Sequence, residues 1–396
     1  MISVTAAKDL IRAQIFPLLS VVKPIDDAVG FVLTEDILSP INVPAFVQSS
    51  MDGYAFSFDG IQSNSSLTIT AIVQAGDAKK HKILPTEAVR IFTGAPLPEG
   101  ADTVLMQEKA KVDGNNLILA DIDLKKGTNA RSIGADINKG AIALSKGTLL
   151  SPAAIGFLAS IGIVKVEVIN KPSINIILTG NELQDIGQEL DFGQIYESNS
   201  HTLLAALKQL GIVNVNVEKV IDSLAAITKS IHNSLENYDL TLMTGGVSVG
   251  DYDFVLEATK ANQVTQIFHK IKQKPGKPLF LGKKENKIIC GLPGNPASVL
   301  SCFYNYVTLI LDQLSGTQTV LLNKQALLTN AYKKPTGLTH FLKGLYDASN
   351  NKVTILDGQE SFKMNSFALA NCFIELPETT LEVNINEEVL IHLFPR

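Results

Sequence analysis

Three glycine-rich loops alternate with apolar runs and helical patterns in the second half of this 396-residue chain. Each loop follows an apolar run of strand length, at residues 174–178, 240–243 and 287–290. Repeated alternation of strand, turn and helix predicts a mostly parallel sheet with helices on both faces. Ligands of such sheets bind beyond the carboxyl ends of the strands, where helix N-termini present free N–H groups. We therefore expect a ligand site at that edge.

The three loops themselves have the composition of anion sites. They span residues 178–182, 244–253 and 291–296. Gly245, Gly246 and Gly294 would let backbone N–H groups approach a phosphate, and Pro293 and Pro296 stiffen the third loop. Asn295 is expected to cap the helix that begins at Pro296. One such loop alone is usually ordinary turn chemistry, but three at one sheet edge favour a binding site.

Lysines and carboxylates accompany these loops. Lys270, Lys272, Lys274 and Lys277 surround a Pro-Gly turn, and the stiff turn makes Lys274 and Lys277 suitable for binding a phosphate or another oxyanion. Lys272 is expected to face solvent.

Acidic residues near an anion site favour an intervening Mg²⁺ ion, which bridges carboxylate and phosphate oxygens. Asp222 and Asp251 could equally cap helices, so Glu182 and Asp253 are the preferred metal ligands. The four candidates are Glu182, Asp222, Asp251 and Asp253.

The rest of the chain predicts β-rich structure around the α/β segment. Short apolar runs separated by Gly, Pro and Asp turns indicate a small β module inserted into an N-terminal domain, and short strands return at the end of the chain. A chain of this length is expected to form two to four domains. The predicted domains are a linking and dimerisation domain at 1–44 and 138–172, the inserted β domain at 45–137, the α/β domain at 173–320 and a C-terminal β domain at 321–396.

Composition disfavours nucleic-acid-binding, membrane-surface and secreted proteins, and the motifs disfavour several enzyme chemistries. A net charge of -5 with interspersed signs disfavours nucleic-acid or anionic-membrane partners. Three cysteines without a CxxC pair indicate a reducing compartment, and the N-terminal segment lacks the features of a signal peptide, so a cytoplasmic location is expected. Scattered histidines and the lack of a G-x-S-x-G or Walker motif disfavour zinc, serine-nucleophile and P-loop chemistry.

Three further motifs concentrate in the β module, and each could be no more than a tight turn. They are SSMDGYA at 49–55, TGAPLPEG at 93–100 and NARSIGAD at 129–136. With TGNEL, TGGVSVGDYDF, KPGKP and CGLPGNPAS, in this order, they resemble the MoeA family and the homologous E domain of gephyrin. The resemblance runs from about residue 43 to 298 and returns in SFALANCFIEL near the C terminus.

The resemblance implies a four-domain homodimer with a MogA-like molybdopterin-binding α/β domain, an inserted β domain, a linking domain and a C-terminal β-barrel-like domain. The implied activity is Mg²⁺-dependent transfer of molybdate into adenylylated molybdopterin with release of AMP, and the molybdopterin adenylyltransferase is a candidate protein partner. The implied and predicted site residues are Asp52, Thr93, Arg131, Asp136, Lys270 and Lys274 for catalysis, Glu182, Asp222 and Asp253 for Mg²⁺, and Gly245, Gly246, Ser248, Lys277, Pro293, Gly294 and Pro296 for binding the pterin.

Two other functions are compatible with parts of this pattern. A molybdopterin adenylyltransferase shares the α/β domain but lacks the MDGYA, TGAP and NARSIGADI motifs. A receptor-clustering scaffold, as in gephyrin, would carry a fused N-terminal domain or linker. Ala130, Asn181 and Ala135 depart from the residues that are usual in the family, and all three lie beside the implied site positions.

Overall fold

The sheet that carries the predicted ligand edge has six strands within the described part of the chain. A computed structural model describes residues 1–119, 124–246, 254–318 and 322–395. The first four strands are parallel, and the last two are antiparallel to their neighbours. The spatial order is Val215–Val220, Ile174–Thr179, Leu240–Thr244, Lys287–Leu292, Phe280–Lys284 and Thr265–His269. The prediction of a mostly parallel sheet is confirmed.

Helices cover both faces of this sheet because its central strands are apolar on both sides. Ile176 packs in one core with Leu203 and Ile11, whereas Ile177 packs in another with Ile227 and Ile231. The helices are Val4–Gln14, Asn199–Gln209, Leu224–Asn237, Val255–Ala261, Pro296–Cys302 and Thr308–Ser315, the last two joined by the π-helical turn Phe303–Val307.

Three local predictions need correction. The amphipathic pattern of residues 6–19 predicts a first helix that reaches Leu19, but this helix ends at Gln14 because Pro17 disfavours helical backbone in the residue before it. The helix expected to be capped by Asp222 is capped by Ser223, whose Oγ accepts from the N–H of Ala226 at 3.3 Å. Asn295 stands before a helix without capping it, since its amide donates to Ser361 Oγ at 2.8 Å.

A closed five-stranded barrel follows the α/β sheet. Its strand Lys352–Ile355 alternates exposed and buried residues, as expected for a small barrel. The short strand Gln273–Lys274 adds to it beside Thr339–Asp347. The barrel strands, in spatial order, are Thr339–Asp347, Lys352–Ile355, Asn323–Leu328, Glu388–Leu393 and Cys372–Leu376, which pairs again with the first.

Short elements complete this part of the chain. They are the helix Met364–Leu369 and the strand pairs Tyr332–Lys333 with Glu382–Val383 and Leu183–Gln184 with Ile195–Tyr196.

The chain divides into two compact units. The larger unit contains Met1–Val21, Gly30–Val32 and Val168–Arg396, and the smaller unit contains Val22–Val29 and Leu33–Glu167. The α/β sheet and the barrel both belong to the larger unit.

A six-stranded β sheet forms the centre of the smaller unit. Its two cores contain Val89 and Ile91 on one side and Phe56 and Leu105 on the other. The strands, in spatial order, are Thr103–Met106, Gly53–Phe56, Glu87–Ile91, Ser66–Val73, Asn116–Leu119 and Ala110–Asp113.

Shorter elements surround this sheet. The pairs are Gln48–Ser49 with Ala130–Arg131 and Ile37–Leu38 with Ile142–Leu144, and the helices are Phe58–Ile61 and Pro152–Ser160, with 3-10 turns at Ile25–Asp27 and Gln107–Lys109. The strands Ser20–Pro24 and Lys165–Ile169 lie at the boundaries of the two units.

Candidate functional site

A cavity of about 620 Å³ opens at the carboxyl ends of the parallel strands. Thr179, Thr244 and Pro293, at or just after the ends of three neighbouring strands, lie in its wall. The residues of the barrel in the wall are Leu338, Gln359 and Ser361. The cavity therefore occupies the edge where the sequence predicts a ligand.

The predicted loops meet in this cavity. Gly245 has a φ of +91°, and a Cβ added there would lie 2.7 Å from the carbonyl oxygen of Thr179, so a larger residue is excluded. A Cβ added at Gly294 would lie 3.8 Å from Gly245, which shows how closely the two loops approach. Gly246, Pro293 and Pro296 line the same space. Ser248, Asp251 and Asp253 lie outside the described residues.

Only part of the lysine cluster reaches the cavity. Lys274 and Lys277 are exposed and line it, on either side of the Pro275–Gly276 turn. Lys270 is not among the lining residues, and its backbone N–H donates to the carbonyl of Leu279 at 2.9 Å. Lys272 is half-buried and pairs with Glu378 at 3.7 Å.

A buried histidine of the barrel lies beside the lysine turn. Burial, together with the charges of Lys334 and Lys274, lowers the pKa of His340 to about 4. His340 is therefore neutral at physiological pH. The positive charge at this wall comes from the lysines.

Of the two carboxylates predicted as metal ligands within the described residues, Glu182 lines the cavity. Its oxygens lie 2.9 Å from the position that a Cβ of Gly180 would occupy, so the glycine makes room for the carboxylate. Asp222 is outside the lining, and its N–H donates to Asn181 Oδ1 at 3.5 Å. Across the described ranges, no three His, Cys, Asp or Glu side chains are grouped closely enough to form a metal site by themselves.

Asn199 is a cavity residue that the sequence reading missed. It begins the helix Asn199–Gln209, is 8% exposed, and donates from Nδ2 to the carbonyl of Gly294 at 2.9 Å. This bond fixes the third loop against the helix. The available signal was the Ser-Asn pair before a helical pattern, which by itself indicates only a helix start.

In the smaller unit, Asp52 and Thr93 are in direct contact. Both the backbone N–H and the hydroxyl of Thr93 donate to Asp52 Oδ1 at 2.8 Å. These hydrogen bonds, first the backbone one and then the hydroxyl one, lower the pKa of Asp52, and the charge of Arg90 contributes. Asp52 is therefore a stable anion.

Arg90 is the second residue that the sequence reading missed. Its guanidinium donates to the carbonyl of Gly53 at 2.8 Å and also bonds Gln107. It lies 5.2 Å from the ring centre of Tyr54 and 4.8 Å from that of Phe92. A single arginine within a strand carries no motif, so only the fold places it beside Asp52.

Backbone bonds join the three motifs of the β module. The N–H of Ser50 donates to the carbonyl of Asn129 at 2.9 Å, and the N–H of Gly94 donates to the carbonyl of Ser49 at 2.9 Å. Arg131 pairs with Gln48 in a short antiparallel ladder. Asp136 is exposed, and its N–H donates to the carbonyl of Val43 at 2.9 Å. These bonds therefore connect the first motif to each of the other two, so the three motifs form one continuous surface rather than three separate turns.

Comparison with known proteins defines the class first. Three family descriptions match the chain in succession: the MoeA N-terminal region (domain I and II) over residues 2–162, a probable molybdopterin-binding domain over 175–313, and the MoeA C-terminal region (domain IV) over 325–394. The parallel sheet and its loops fall in the second of these. The class is thus that of multi-domain proteins built around a molybdopterin-binding α/β domain.

Relatives make the assignment more specific. The chain is 35% identical over 403 residues to the molybdopterin molybdenumtransferase of Haemophilus influenzae, covering 100% of this chain and 99% of that protein. It is 31% identical to that of Bacillus subtilis, covering 90% and 85%. The crystal structure of the molybdopterin biosynthesis MoeA protein of Pyrococcus horikoshii matches with a TM-score of 0.84 and 29% identity over 99% of both chains.

The chain belongs to the MoeA family of molybdopterin molybdenumtransferases and is a transferase of molybdenum cofactor biosynthesis. The predicted multi-domain fold is confirmed. None of the helices in the described ranges is both long and apolar enough to cross a bilayer.

Proposed function

We propose that the chain inserts molybdate into adenylylated molybdopterin and releases AMP in a Mg²⁺-dependent reaction. The observation that carries the proposal is that one cavity at the sheet edge is lined by Lys274, Lys277 and Glu182. Cationic side chains suit the phosphates of the substrate, and a carboxylate beside them suits a divalent cation. Its volume, about 620 Å³, is within the range of small-molecule sites.

Lysines and backbone bind the pyrophosphate link of the adenylate. Lys274 and Lys277 neutralise its oxygens, and the close approach of the Gly245 and Gly294 loops leaves room for the phosphates near the backbone. When water cleaves the link and AMP departs, the fixed ammonium groups stabilise the negative charge that develops on the phosphate oxygens. Lys270, outside the cavity lining, completes the proposed catalytic set.

The residues present fit Mg²⁺. This ion is usually held by one or two carboxylates together with substrate phosphates and water, so a complete protein cage is not required. Glu182, Asp222 and Asp253 are the proposed ligands. Bound Mg²⁺ would supply charge neutralisation and polarisation of the phosphoryl oxygens.

The surface formed by the three motifs of the smaller unit, at residues 49–55, 93–100 and 129–136, is the proposed site for molybdate. Arg131 supplies positive charge for the dianion, while Asp52, with Thr93, and Asp136 orient the groups around it. We also propose a cytoplasmic homodimer in which each active site takes its cavity from one subunit and its motif surface from the other. The adenylyltransferase that makes the substrate is the proposed protein partner.

The test is to incubate the pure protein with adenylylated molybdopterin and to follow AMP while molybdate or Mg²⁺ is omitted. AMP is expected only when both are present. Equally fast AMP formation without molybdate would identify a hydrolase and refute the transferase reaction.

A Glu182→Gln variant should need much more Mg²⁺ for the same rate. An unchanged Mg²⁺ requirement would remove Glu182 from the metal site.

A further inference from the structure

Gln273 has its side chain completely buried directly beneath the lysine turn. Its exposed fraction is 0%, although its neighbour Lys274 is exposed. Nε2 donates to the carbonyl oxygen of Gly276 at 3.1 Å, within the turn itself. Oε1 accepts a hydrogen bond from the hydroxyl of Tyr306. The amide thus connects the turn to the helical segment at 303–307.

Cys302, the last residue of the helix Pro296–Cys302, also contacts the turn. Cys302 Sγ lies 3.6 Å from the carbonyl oxygen of Gly276 and 3.7 Å from Gln273 Nε2. A Cβ added at Gly276 would lie only 2.4 Å from that sulfur. Cys302 and Tyr306 are 0% exposed. The buried sulfur of Cys302 therefore packs directly against Gly276 and leaves no room for a side chain there.

A buried primary amide is costly unless its polar atoms are bonded, and an apolar side chain could fill the same volume. Both polar atoms of the Gln273 amide are bonded, Nε2 to the Gly276 carbonyl and Oε1 to the Tyr306 hydroxyl. The amide therefore holds that carbonyl in place relative to Tyr306. Lysine ammonium groups stand on flexible four-carbon stems, so the position of the backbone decides where their charges can be held. Fixing Gly276 fixes the origin of both stems.

We propose that Gln273 is a positioning residue that holds Lys274 and Lys277 toward the phosphates of the substrate. The inference rests on the proposed function, in which these two lysines bind the pyrophosphate link. Gln273 does not touch the reacting atoms. It acts on the bound anion only through the turn and the two lysines.

The test uses Gln273→Met, which keeps the volume but removes the amide, and Ile310→Val as a matched control. Ile310 is 0% exposed and packs in the same core as Cys302 and Tyr306, but its aliphatic side chain cannot form a hydrogen bond to the turn. Inorganic pyrophosphate binding is measured by calorimetry, and KM and kcat for adenylylated molybdopterin are measured alongside. Gln273→Met should weaken pyrophosphate binding and raise KM by about five- to tenfold, the loss expected for one or two hydrogen bonds. Because the same lysines stabilise the charge that develops when AMP departs, kcat should fall as well. Ile310→Val should leave KM, kcat and pyrophosphate binding unchanged.

Lys274→Ala and Lys277→Ala separate the two possible failures. If neither lysine variant weakens pyrophosphate binding, the anion site is wrong and the proposed function fails with it. If the lysine variants weaken binding but folded Gln273→Met binds as well as wild type, only the positioning role is overturned. A loss in Gln273→Met that Ile310→Val reproduces at equal stability would reduce Gln273 to a packing residue and also overturn it.

Discussion

Asp52 shows how single residues acquire their chemical state in this molecule. Its carboxylate receives two hydrogen bonds from Thr93 and lies within the field of Arg90. Hydrogen bonds to the charged form favour that form, so the pKa of Asp52 is lower than usual. At neutral pH the residue acts as an anion or acceptor, and it cannot serve as a general acid.

Thr93→Val should raise the pKa of Asp52. The substitution removes the hydroxyl donor and keeps the backbone N–H, so the carboxylate loses one of its two bonds. The measurement is an NMR titration of the carboxylate carbon, in which the midpoint should move to higher pH. Thr93→Ser keeps the hydroxyl and should titrate close to wild type. An unchanged midpoint in Thr93→Val would mean that the hydroxyl bond does not form in solution.

Single residues also mark where sequence reading reaches its limit. Glu182, Lys274 and Lys277 could be predicted because they stand within motifs whose local geometry aims them at one sheet edge. Arg90 and Asn199 could not, since their neighbours in space come from other segments. For Asp222 a capping role and a metal-binding role were expected equally, and Ser223 provides the cap instead. Two adjacent polar residues before a helix are equivalent in sequence and differ only in backbone position.

At the scale of elements, the lysine turn depends on close packing against a helix. Gly276 has a φ of +83°, and its missing Cβ leaves room for Cys302 Sγ. Gly187 has a nearly identical φ of +84° with nothing within 4 Å of its Cβ position. Both glycines adopt the left-handed backbone conformation, but only Gly276 has a neighbouring atom where a Cβ would lie.

Gly276→Ala should therefore destabilise the protein more than Gly187→Ala. Gly187→Ala should cost about 1–2 kcal/mol for the left-handed backbone alone. Gly276→Ala should cost about 1–3 kcal/mol more, because the added methyl overpacks the turn against the sulfur. Chemical denaturation of both variants provides the comparison. Equal losses would show that the turn does not lie on the helix as described.

Helices and strands could be predicted where the local sequence pattern is strong. They were missed where contacts between distant parts of the chain determine the structure. The largely apolar runs at residues 103–106 and 372–376 each predict a strand, and the strands Thr103–Met106 and Cys372–Leu376 occur at those residues. The antiparallel strand pair at one edge of the sheet was not anticipated, since a two-residue connection between Lys284 and Lys287 is what reverses the direction. The contribution of Gln359 and Ser361 to the cavity likewise depends on the barrel, which is distant in sequence.

At the scale of the whole molecule, the predicted site residues are distributed over two compact units. Asp52, Thr93 and Arg131 belong to the smaller one, and Glu182 and Lys274 to the larger. In the proposed dimer with shared sites, two-fold symmetry makes the two sites equivalent.

Complementation tests the shared site. Arg131→Ala and Glu182→Ala should each be inactive alone. In a mixed dimer with shared sites, one site carries both substitutions and the other carries neither, so random exchange should restore about a quarter of wild-type activity. Exchange is verified with two affinity tags. If exchanged mixtures stay inactive, each site is built from a single chain.

The most direct measurement follows AMP and molybdenum in one reaction. Pure protein is incubated with adenylylated molybdopterin, Mg²⁺ and molybdate, after which AMP is quantified by chromatography and pterin-bound molybdenum by mass spectrometry. If cleavage of the adenylate and insertion of the metal are one coupled event, each AMP released should be matched by one molybdenum on the pterin at every time point. AMP that accumulates while the pterin stays free of molybdenum would contradict the transferase reaction proposed for this chain.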